Sequence, residues 1–292
     1  MDRQLLDCEP ALERAVALAA SKHCPPQFAS ALHYAVFPGG ARVRPQLCMA
    51  VAAANGDTDG TLASAAATAI ELLHCASLVH DDLPCFDDAT ERRGKPSVHS
   101  AFGERLAILA GDALIVAAFQ SLGRAVGTTV SPERTGLVLG LVARGVGAPH
   151  GIAAGQAWEC EPRVDVSRYH RAKTGALFVA ATAAGAAAAG VDPGAWELLG
   201  EKIGEAYQVA DDIQDATADE ATLGKPTGID AALDRPSAVS ELGVEGAVNR
   251  LRLLLEEGLE VIPACAGRSQ LQDLVRLQSR RFMPSCAGRD AA

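Results

Sequence analysis

Turn-forming residues divide this chain into long alanine-rich segments, and this spacing constrains the fold more than any other feature of the sequence. The breakers include Pro25-Pro26, Gly39-Gly40, Asn55-Gly56, Asp192-Pro193-Gly194 and the stretches 84–96 and 224–236. Alanine favours helix, and the alternating Val, Ile and Thr of strands is scarce between the breakers. The pattern predicts an all-α protein with roughly ten helical segments. No Ser/Gly-rich linker interrupts it, so we expect one domain over residues 1–292.

The composition is that of a globular protein, with 49% hydrophobic and 21% charged residues. A net charge of -10 argues against nucleic-acid partners, which require a basic face. The longest uncharged run, residues 175–191, is mostly Ala and Gly, so we expect a buried helix there and no membrane span. The eight cysteines lack zinc-site spacing and the N-terminal residues lack a signal pattern, which predicts free thiols and a cytoplasmic location.

One acidic cluster, Asp211-Asp212-Ile213-Gln214-Asp215, lies inside the helical pattern of residues 195–218. On a helix, Asp211 and Asp215 share a face, where like charges repel each other. A hard cation such as Mg²⁺, which prefers oxygen ligands, removes that repulsion. Taken alone, however, the cluster is explained more simply as a solvated acidic surface.

A further acidic cluster favours a metal site over a solvated acidic surface. Asp81 and Asp82 lie at the end of the run 61–83 and Asp87 follows it, and Pro84 must kink or end the helix if Asp81 and Asp87 are to face one metal ion. Both clusters lie towards the C-terminal ends of helices, where the helix dipole disfavours anions. Bound cations would supply the missing positive charge, so the two clusters together predict metal binding.

Basic residues accompany both acidic clusters. They are Arg42, Arg44, Arg92, Arg93, Lys95, Lys173 and Lys225. Each one alone is an ordinary surface charge. Guanidinium and ammonium groups beside paired carboxylates are nevertheless what a metal-bridged diphosphate requires, and the joint placement favours a diphosphate site.

These motifs resemble those of the trans-isoprenyl diphosphate synthases, the polyprenyl synthetase family. The resemblance runs through PGGARVRP, LLHCASLVHDDLPCFDDATERRGKPSVH, GIAAGQ, HRAKTGALF, YQVADDIQD and LGKPTGID, and is strongest to the bacterial geranylgeranyl diphosphate synthases of carotenoid and chlorophyll pathways. It implies the isoprenoid synthase fold, a bundle of ten or more helices around a deep central cavity, usually as a homodimer. It also implies head-to-tail condensation of isopentenyl diphosphate with an allylic diphosphate, farnesyl or shorter, with about three Mg²⁺ ions per active site.

The resemblance assigns roles to individual residues, motif by motif. Metal binding falls to the carboxylates Asp81, Asp82, Asp87, Asp211 and Asp215, with possible help from Asp212. Contacts to the allylic diphosphate fall to Arg92, Lys173 and Lys225, and contacts to isopentenyl diphosphate to Arg44, His74 and Arg93. The reacting carbons would be lined by Thr174 and Gln208. Without the resemblance, His74 would be interpreted as a core residue of an apolar helix.

One position departs from the family pattern GGKRxRP, because Ala41 stands where the family has a lysine that contacts isopentenyl diphosphate. Either this pocket binds more weakly or another group compensates. Two alternatives stay open: a farnesyl (C15) diphosphate synthase, and a catalytically silent partner subunit of another prenyl synthase. Only Ala41 supports the silent subunit. A head-to-head condensing or terpene-cyclising enzyme would not need the isopentenyl pocket.

Small side chains upstream of the first acidic cluster predict the length of the product. If the growing chain runs back along the helix from Asp81, Ala76 lies about 7.5 Å away, with Ser77 beside it. Family members that stop at C15 commonly have an aromatic residue at the first of these places. The next bulky side chains, Leu72 and Leu73, lie about 4.5–6 Å further, near the length of one isoprene unit. The predicted product is therefore C20, geranylgeranyl diphosphate.

Overall fold

A computed structural model of the chain describes residues 6–37, 39–126, 131–163, 165–217 and 237–279. Most of these residues are helical, which confirms the all-α prediction. The α-helices are α1 Glu9–Ala19, α2 Pro26–Val36, α3 Val43–Ala54, α4 Thr61–Asp81, α5 Val98–Phe102, α6 Glu104–Ala125, α7 Pro132–Val146, α8 Ile152–Trp158, α9 Val166–His170, α10 Ala176–Ala189, α11 Glu197–Thr217, α12 Ala238–Glu260 and α13 Arg268–Ser279. A π-helical turn, Arg171–Gly175, joins α9 to α10, and a 3-10 turn, Gly194–Trp196, precedes α11. Two short strands, β1 Glu91–Arg92 and β2 Lys95–Pro96, form an antiparallel hairpin.

Local sequence sets several of the helix ends. A reciprocal capping box between Ser237 and Ser240 starts α12. Gly190, at φ 81°, ends α10 in the left-handed conformation that glycine adopts without steric cost. Gly243, at φ 69°, interrupts α12, so the chain changes direction inside that element.

The centre of the bundle is α10, which packs against α3, α4, α7 and α11. Glycines let the backbones approach closely: a Cβ atom on Gly185 would lie 2.2 Å from the carbonyl oxygen of Cys48 on α3. Leu177, Phe178 and most of the alanines of α10 are buried. The alanine-rich run is thus a packed core helix, as its composition predicts. Because α4 and α11 both pack on α10, their acidic C-terminal ends belong to the same rigid core.

By length and composition alone, three helices in the ranges that the structure describes could cross a membrane: Thr61–Asp81, Glu104–Ala125 and Ser167–Ala189. The apolar windows of the first and third are 72% and 67% buried inside the protein, but that of α6 is only 39% buried. We call the exposed apolar surface of this helix, made by Ile108, Leu109 and Val116, the α6 face. No other part of the described chain covers the α6 face.

Candidate active site

The first acidic motif lies where α4 ends. The last helical residue is Asp81, and Pro84 follows in a turn, so the helix ends as the spacing of the two aspartates requires. The turn is closed by backbone bonds, with the amide of Phe86 donating to Leu83 O at 2.9 Å and that of Asp87 donating to Asp81 O at 3.0 Å. This fold-back brings Asp87 to the same side as Asp81.

A third carboxylate, which the sequence does not predict, joins these two. Glu159, just after the last residue of α8, has an oxygen that lies with those of Asp81 and Asp87 within 4.8 Å of one another. We call Asp81, Asp87 and Glu159 the carboxylate triad. Three converging carboxylates suit a hard divalent cation such as Mg²⁺, so the residues present fit the predicted metal.

Asp82 lies outside this triad, although the resemblance places it among the metal ligands. Its side chain is buried and accepts hydrogen bonds from Arg92 on β1, including one of 2.9 Å from Nε. Burial raises the pKa of Asp82, while Arg92 acts in the opposite direction. Adjacent residues on a helix point about 100° apart, so Asp82 cannot face the same point as Asp81. In this structure Asp82 orients Arg92, and its place among the metal ligands stays a prediction.

Lys173 lies directly over the carboxylate triad. Its Nζ atom is 2.6 Å from Glu159 Oε1 and 3.4 Å from Asp81 Oδ1. Burial alone would lower the pKa of Lys173, but the negative charges of Asp81 and Glu159 outweigh it and raise that pKa, which keeps the ammonium charged. Tyr169 donates to Glu159 at 2.5 Å and Gln156 donates to Asp81, so both triad members are held in place.

The π-helical turn that carries Lys173 is held by two glycines. A Cβ atom on Gly155 of α8 would lie 2.5 Å from the Cα and N atoms of Lys173, and one on Gly204 of α11 would lie 2.8 Å from the Cα of Gly175. Real Cβ atoms do not approach backbone atoms this closely. The two helices therefore pack against the turn through close backbone contacts that only glycine permits. Such turns occur often at functional sites.

Thr174 and Gln208 are neighbours, as expected for residues with a shared task. Thr174 Oγ1 donates to Gln208 Oε1 at 2.7 Å, and Gln208 Nε2 donates to Asp212 Oδ1 at 2.9 Å. The other oxygen of Asp212 accepts a bond of 2.8 Å from the backbone amide of Ala238, at the start of α12. Asp212 is buried, so this member of the second motif links α11 to α12 and orients Gln208.

The rest of the second motif lies partly exposed at the end of α11. Asp211 and Asp215 are one helical turn apart there, as their spacing predicts. Within the described ranges, neither belongs to a group of three possible metal ligands. Lys225, the expected contact of the allylic diphosphate beyond this motif, lies outside the described residues.

Arg44, His74 and Arg93 form a separate pocket that contains two guanidinium groups. Arg44 Nη1 lies 3.5 Å from His74 Nε2, and its guanidinium covers the rings of Phe178 at 4.3 Å and Tyr207 at 5.1 Å. Burial and then the charges of Arg44 and Arg93 lower the pKa of His74 far below its usual range, so the imidazole is neutral. The guanidinium of Arg93 lies against Gly40, where a Cβ atom would be 2.7 Å from Nη2. We call these three residues the arginine pocket.

The residues predicted to set product length lie on α4, between His74 and Asp81 in sequence. Ala76 is buried, and Ser77 Oγ donates to His74 O at 2.8 Å. Leu72 and Leu73, one turn further, are fully buried. Their role as the floor for the product stays a prediction.

Sequence reasoning missed Gln156, Glu159 and Tyr169. A signal was present, since GIAAGQ contributes to the resemblance and Glu159 follows Gln156 at the i+3 spacing that shares a helix face. The sequence also did not identify Phe178 and Tyr207, whose rings lie beneath Arg44. Aromatic residues in an apolar stretch are usually packed in the core, so nothing marked these two as part of the site.

Comparison with known proteins agrees with these observations. The sequence model of the polyprenyl synthetase family matches residues 25–266. The chain is 52% identical to the geranylgeranyl diphosphate synthase of Cereibacter sphaeroides, over 95% of this chain and 96% of the relative. It is 49% identical to that of Rhodobacter capsulatus, over 94% of each chain. The crystal structure of a Helicobacter pylori geranyltransferase complexed with magnesium and isoprenyl diphosphate superposes with a TM-score of 0.78 at 29% identity, covering 96% of this chain and 99% of the other.

Proposed function

The chain belongs to the polyprenyl synthetase family, and we propose that it condenses isopentenyl diphosphate head to tail with an allylic diphosphate, giving geranylgeranyl diphosphate (C20). The observation that carries this proposal is the presence of two separate anion-binding groups on one helical core. Lys173 and Arg92 lie beside the carboxylate triad, and the arginine pocket contributes the guanidinium groups of Arg44 and Arg93. Two diphosphates of different kinds require two such groups.

We propose that Mg²⁺ serves the first group, held by the triad on one side and by Asp211 and Asp215 of α11 on the other. Bound there, it would neutralise the allylic diphosphate and make that group a better leaving group. The fit of the triad and the magnesium complex of the Helicobacter pylori relative support this assignment. Without a metal ion, these carboxylates would repel a diphosphate of the same sign.

The protein side chains bind, orient and exclude water. Lys173 and Arg92 donate to the departing diphosphate and stabilise its growing charge. Thr174 and Gln208 lie beside the allylic carbon that becomes cationic, and the arginine pocket aims the double bond of isopentenyl diphosphate at that carbon. A proton then leaves the product, and the released diphosphate accepts it. The apolar core protects the cation from water, so no protein nucleophile is needed.

Incubation with labelled isopentenyl diphosphate and a C5, C10 or C15 allylic primer tests the proposed reaction. We expect incorporation only when both the primer and a divalent metal are present. A silent subunit would incorporate nothing, and a cyclising enzyme would consume the primer without incorporating label. Incorporation that continues in excess chelator would contradict the metal assignment.

We also propose that a second copy of the chain covers the α6 face. Contiguous exposed apolar surface on a folded protein marks an interaction site, and side chains such as Leu109 and Val116 on this face are about half exposed. The resemblance favours a cytoplasmic homodimer over membrane insertion. Light scattering should show a dimer for the unmodified protein and a monomer for Leu109→Glu, whereas Leu198→Glu, an equally exposed leucine on α11, should stay dimeric. Binding of the unmodified protein to lipid vesicles would favour a membrane instead.

A further inference from the structure

We infer that Arg42 is a positioning residue for the arginine pocket, one that places Arg44 without binding substrate itself. The inference rests on the proposed function, because it concerns the isopentenyl diphosphate half of that site. Arg42 immediately follows Ala41, the position that departs from the family pattern, and precedes Arg44 by two residues. Both arginines are buried, but their side chains have different partners.

Arg42 is buried and its donors are used inside the protein. Nε donates to Glu9 Oε1 on α1 at 2.8 Å, and Nη1 donates to Glu71 Oε1 on α4 at 2.6 Å. Nη2 donates to the carbonyl oxygen of Val36 at the end of α2, also at 2.8 Å. One side chain thus ties the loop before α3 to three other helices.

The backbone of Arg42 shows that this arrangement is enforced. Its φ of 51° lies in the left-handed region, which a residue with a Cβ atom rarely occupies unless its surroundings hold it there. The side chain then turns back over Gly39, where a Cβ atom would lie 2.0 Å from the guanidinium carbon. Loop and side chain are packed as one unit at the start of α3.

That unit controls where Arg44 points. Arg42 contacts Glu71 and Arg44 contacts His74, and these two partners lie one turn apart on α4. The two contacts are therefore adjacent links between α3 and α4. Among the described residues no carboxylate pairs with Arg44 and its Nε has no hydrogen-bond partner, so its position depends on His74 and on the rings of Phe178 and Tyr207. Losing the Arg42 link would free the start of α3 and shift Arg44.

Arg42 and Arg44 differ in how far neighbouring groups neutralise their charge. Two carboxylates, Glu9 and Glu71, neutralise Arg42, so it contributes little attraction to a diphosphate. Arg44 lies beside the neutral His74 and, in the described part of the chain, forms no ion pair with a carboxylate, so its positive charge is compensated less than that of Arg42. Arg42 therefore acts through placement, and its loss should affect one substrate only.

Glu71→Gln tests the positioning role of Arg42, because it removes the charge that holds Arg42 and keeps the volume of the side chain. Glu13→Gln, on the exposed side of α1, is the matched control. In Glu71→Gln we expect KM for isopentenyl diphosphate to rise about 10-fold or more, with KM for the allylic primer and kcat changed less than about 2-fold. The control should match the unmodified enzyme. Calorimetric binding of isopentenyl diphosphate alone should weaken by the same factor, a readout independent of turnover.

Arg42→Gly and Arg42→Ala distinguish the effect of losing the side chain from the effect of backbone strain. Both variants remove the guanidinium, but glycine relieves the strain of the left-handed conformation and alanine does not. We expect both to raise KM for isopentenyl diphosphate alike. A glycine variant with normal kinetics, or variants in which both KM values and kcat deteriorate together, would overturn the inference while leaving the proposed function intact. If the unmodified protein fails to bind isopentenyl diphosphate, the proposed function fails, and this inference fails with it.

Discussion

Gly155→Ala should damage the allylic half of the site, although glycine carries no functional group. The added Cβ would lie 2.5 Å from the Cα and N atoms of Lys173, whereas carbon atoms in contact are about 3.5–4.0 Å apart. The π-helical turn or α8 must therefore shift by about 1 Å. Both contacts are to backbone, so no side chain can rotate away to relieve the clash.

The expected magnitude follows from the geometry of Lys173. Its ammonium lies 2.6 Å from Glu159, and a displacement of about 1 Å would take it beyond the usual limit of a hydrogen bond, near 3.2 Å. A misplacement of that size costs about 10²-fold in catalysis. We expect kcat/KM for the allylic diphosphate to fall by about that factor, measured at saturating isopentenyl diphosphate. KM for isopentenyl diphosphate should change little, because the arginine pocket lies on other elements.

Two further glycines serve as controls. Gly140 of α7 has no atom within 4 Å of a built Cβ, so Gly140→Ala should keep full activity and gain about 0.4–1 kcal/mol of stability. Gly185→Ala meets the carbonyl of Cys48 at 2.2 Å, about three helical turns beyond Lys173, and should lower the melting temperature without a larger loss of kcat/KM for the allylic diphosphate than for isopentenyl diphosphate. If Gly155→Ala behaves like either control, the close contact between α8 and the π-helical turn does not position Lys173.

Four other predictions follow from the site. Asp81→Ala and Asp211→Ala should each reduce turnover by several orders of magnitude with an unchanged circular dichroism spectrum; near-normal turnover would contradict their metal role. Ala41→Lys should lower KM for isopentenyl diphosphate more than KM for the primer, since one charge-assisted contact contributes about 1.5–3 kcal/mol at most; an unchanged KM would show that the pocket is already compensated. Ala76→Tyr should shift the product from C20 towards C15 with primer binding retained, and an unchanged product would exclude this position as the determinant of length. Because the pKa of His74 is lowered in the folded protein, this residue takes up a proton in the unfolded chain, but not in the folded one, as pH falls through 6.5. The free energy of unfolding should therefore decrease over this pH range, and the decrease should be smaller in His74→Gln.

The sequence predicted the helical elements well because their signals are local. The long run 61–83 is α4, shortened to Asp81, because a residue that precedes proline avoids helical geometry and Pro84 follows Leu83. The run 195–218 is α11, except that its first turn is a 3-10 turn. Periodicity identifies a helix, but it does not fix the first or last turn.

The partners within the site could be predicted only in part. Asp81 and Asp87 are close in sequence, so one turn brings them together. Glu159 reaches them only through the packing of α8 on the π-helical turn, which no local pattern encodes. The orientation of Asp82 towards Arg92 likewise depends on where the β-hairpin folds, so the motif alone could not separate it from Asp81.

The proposed reaction makes a C20 diphosphate from isopentenyl diphosphate and an allylic primer. The most direct measurement is chromatography of the labelled product after its diphosphate is removed, using the unmodified protein with Mg²⁺ and farnesyl diphosphate or a shorter primer. We expect geranylgeraniol as the dominant product with every primer, and no product in excess chelator. A dominant C15 alcohol from the shorter primers, or no incorporation of isopentenyl diphosphate at all, would contradict the proposed reaction.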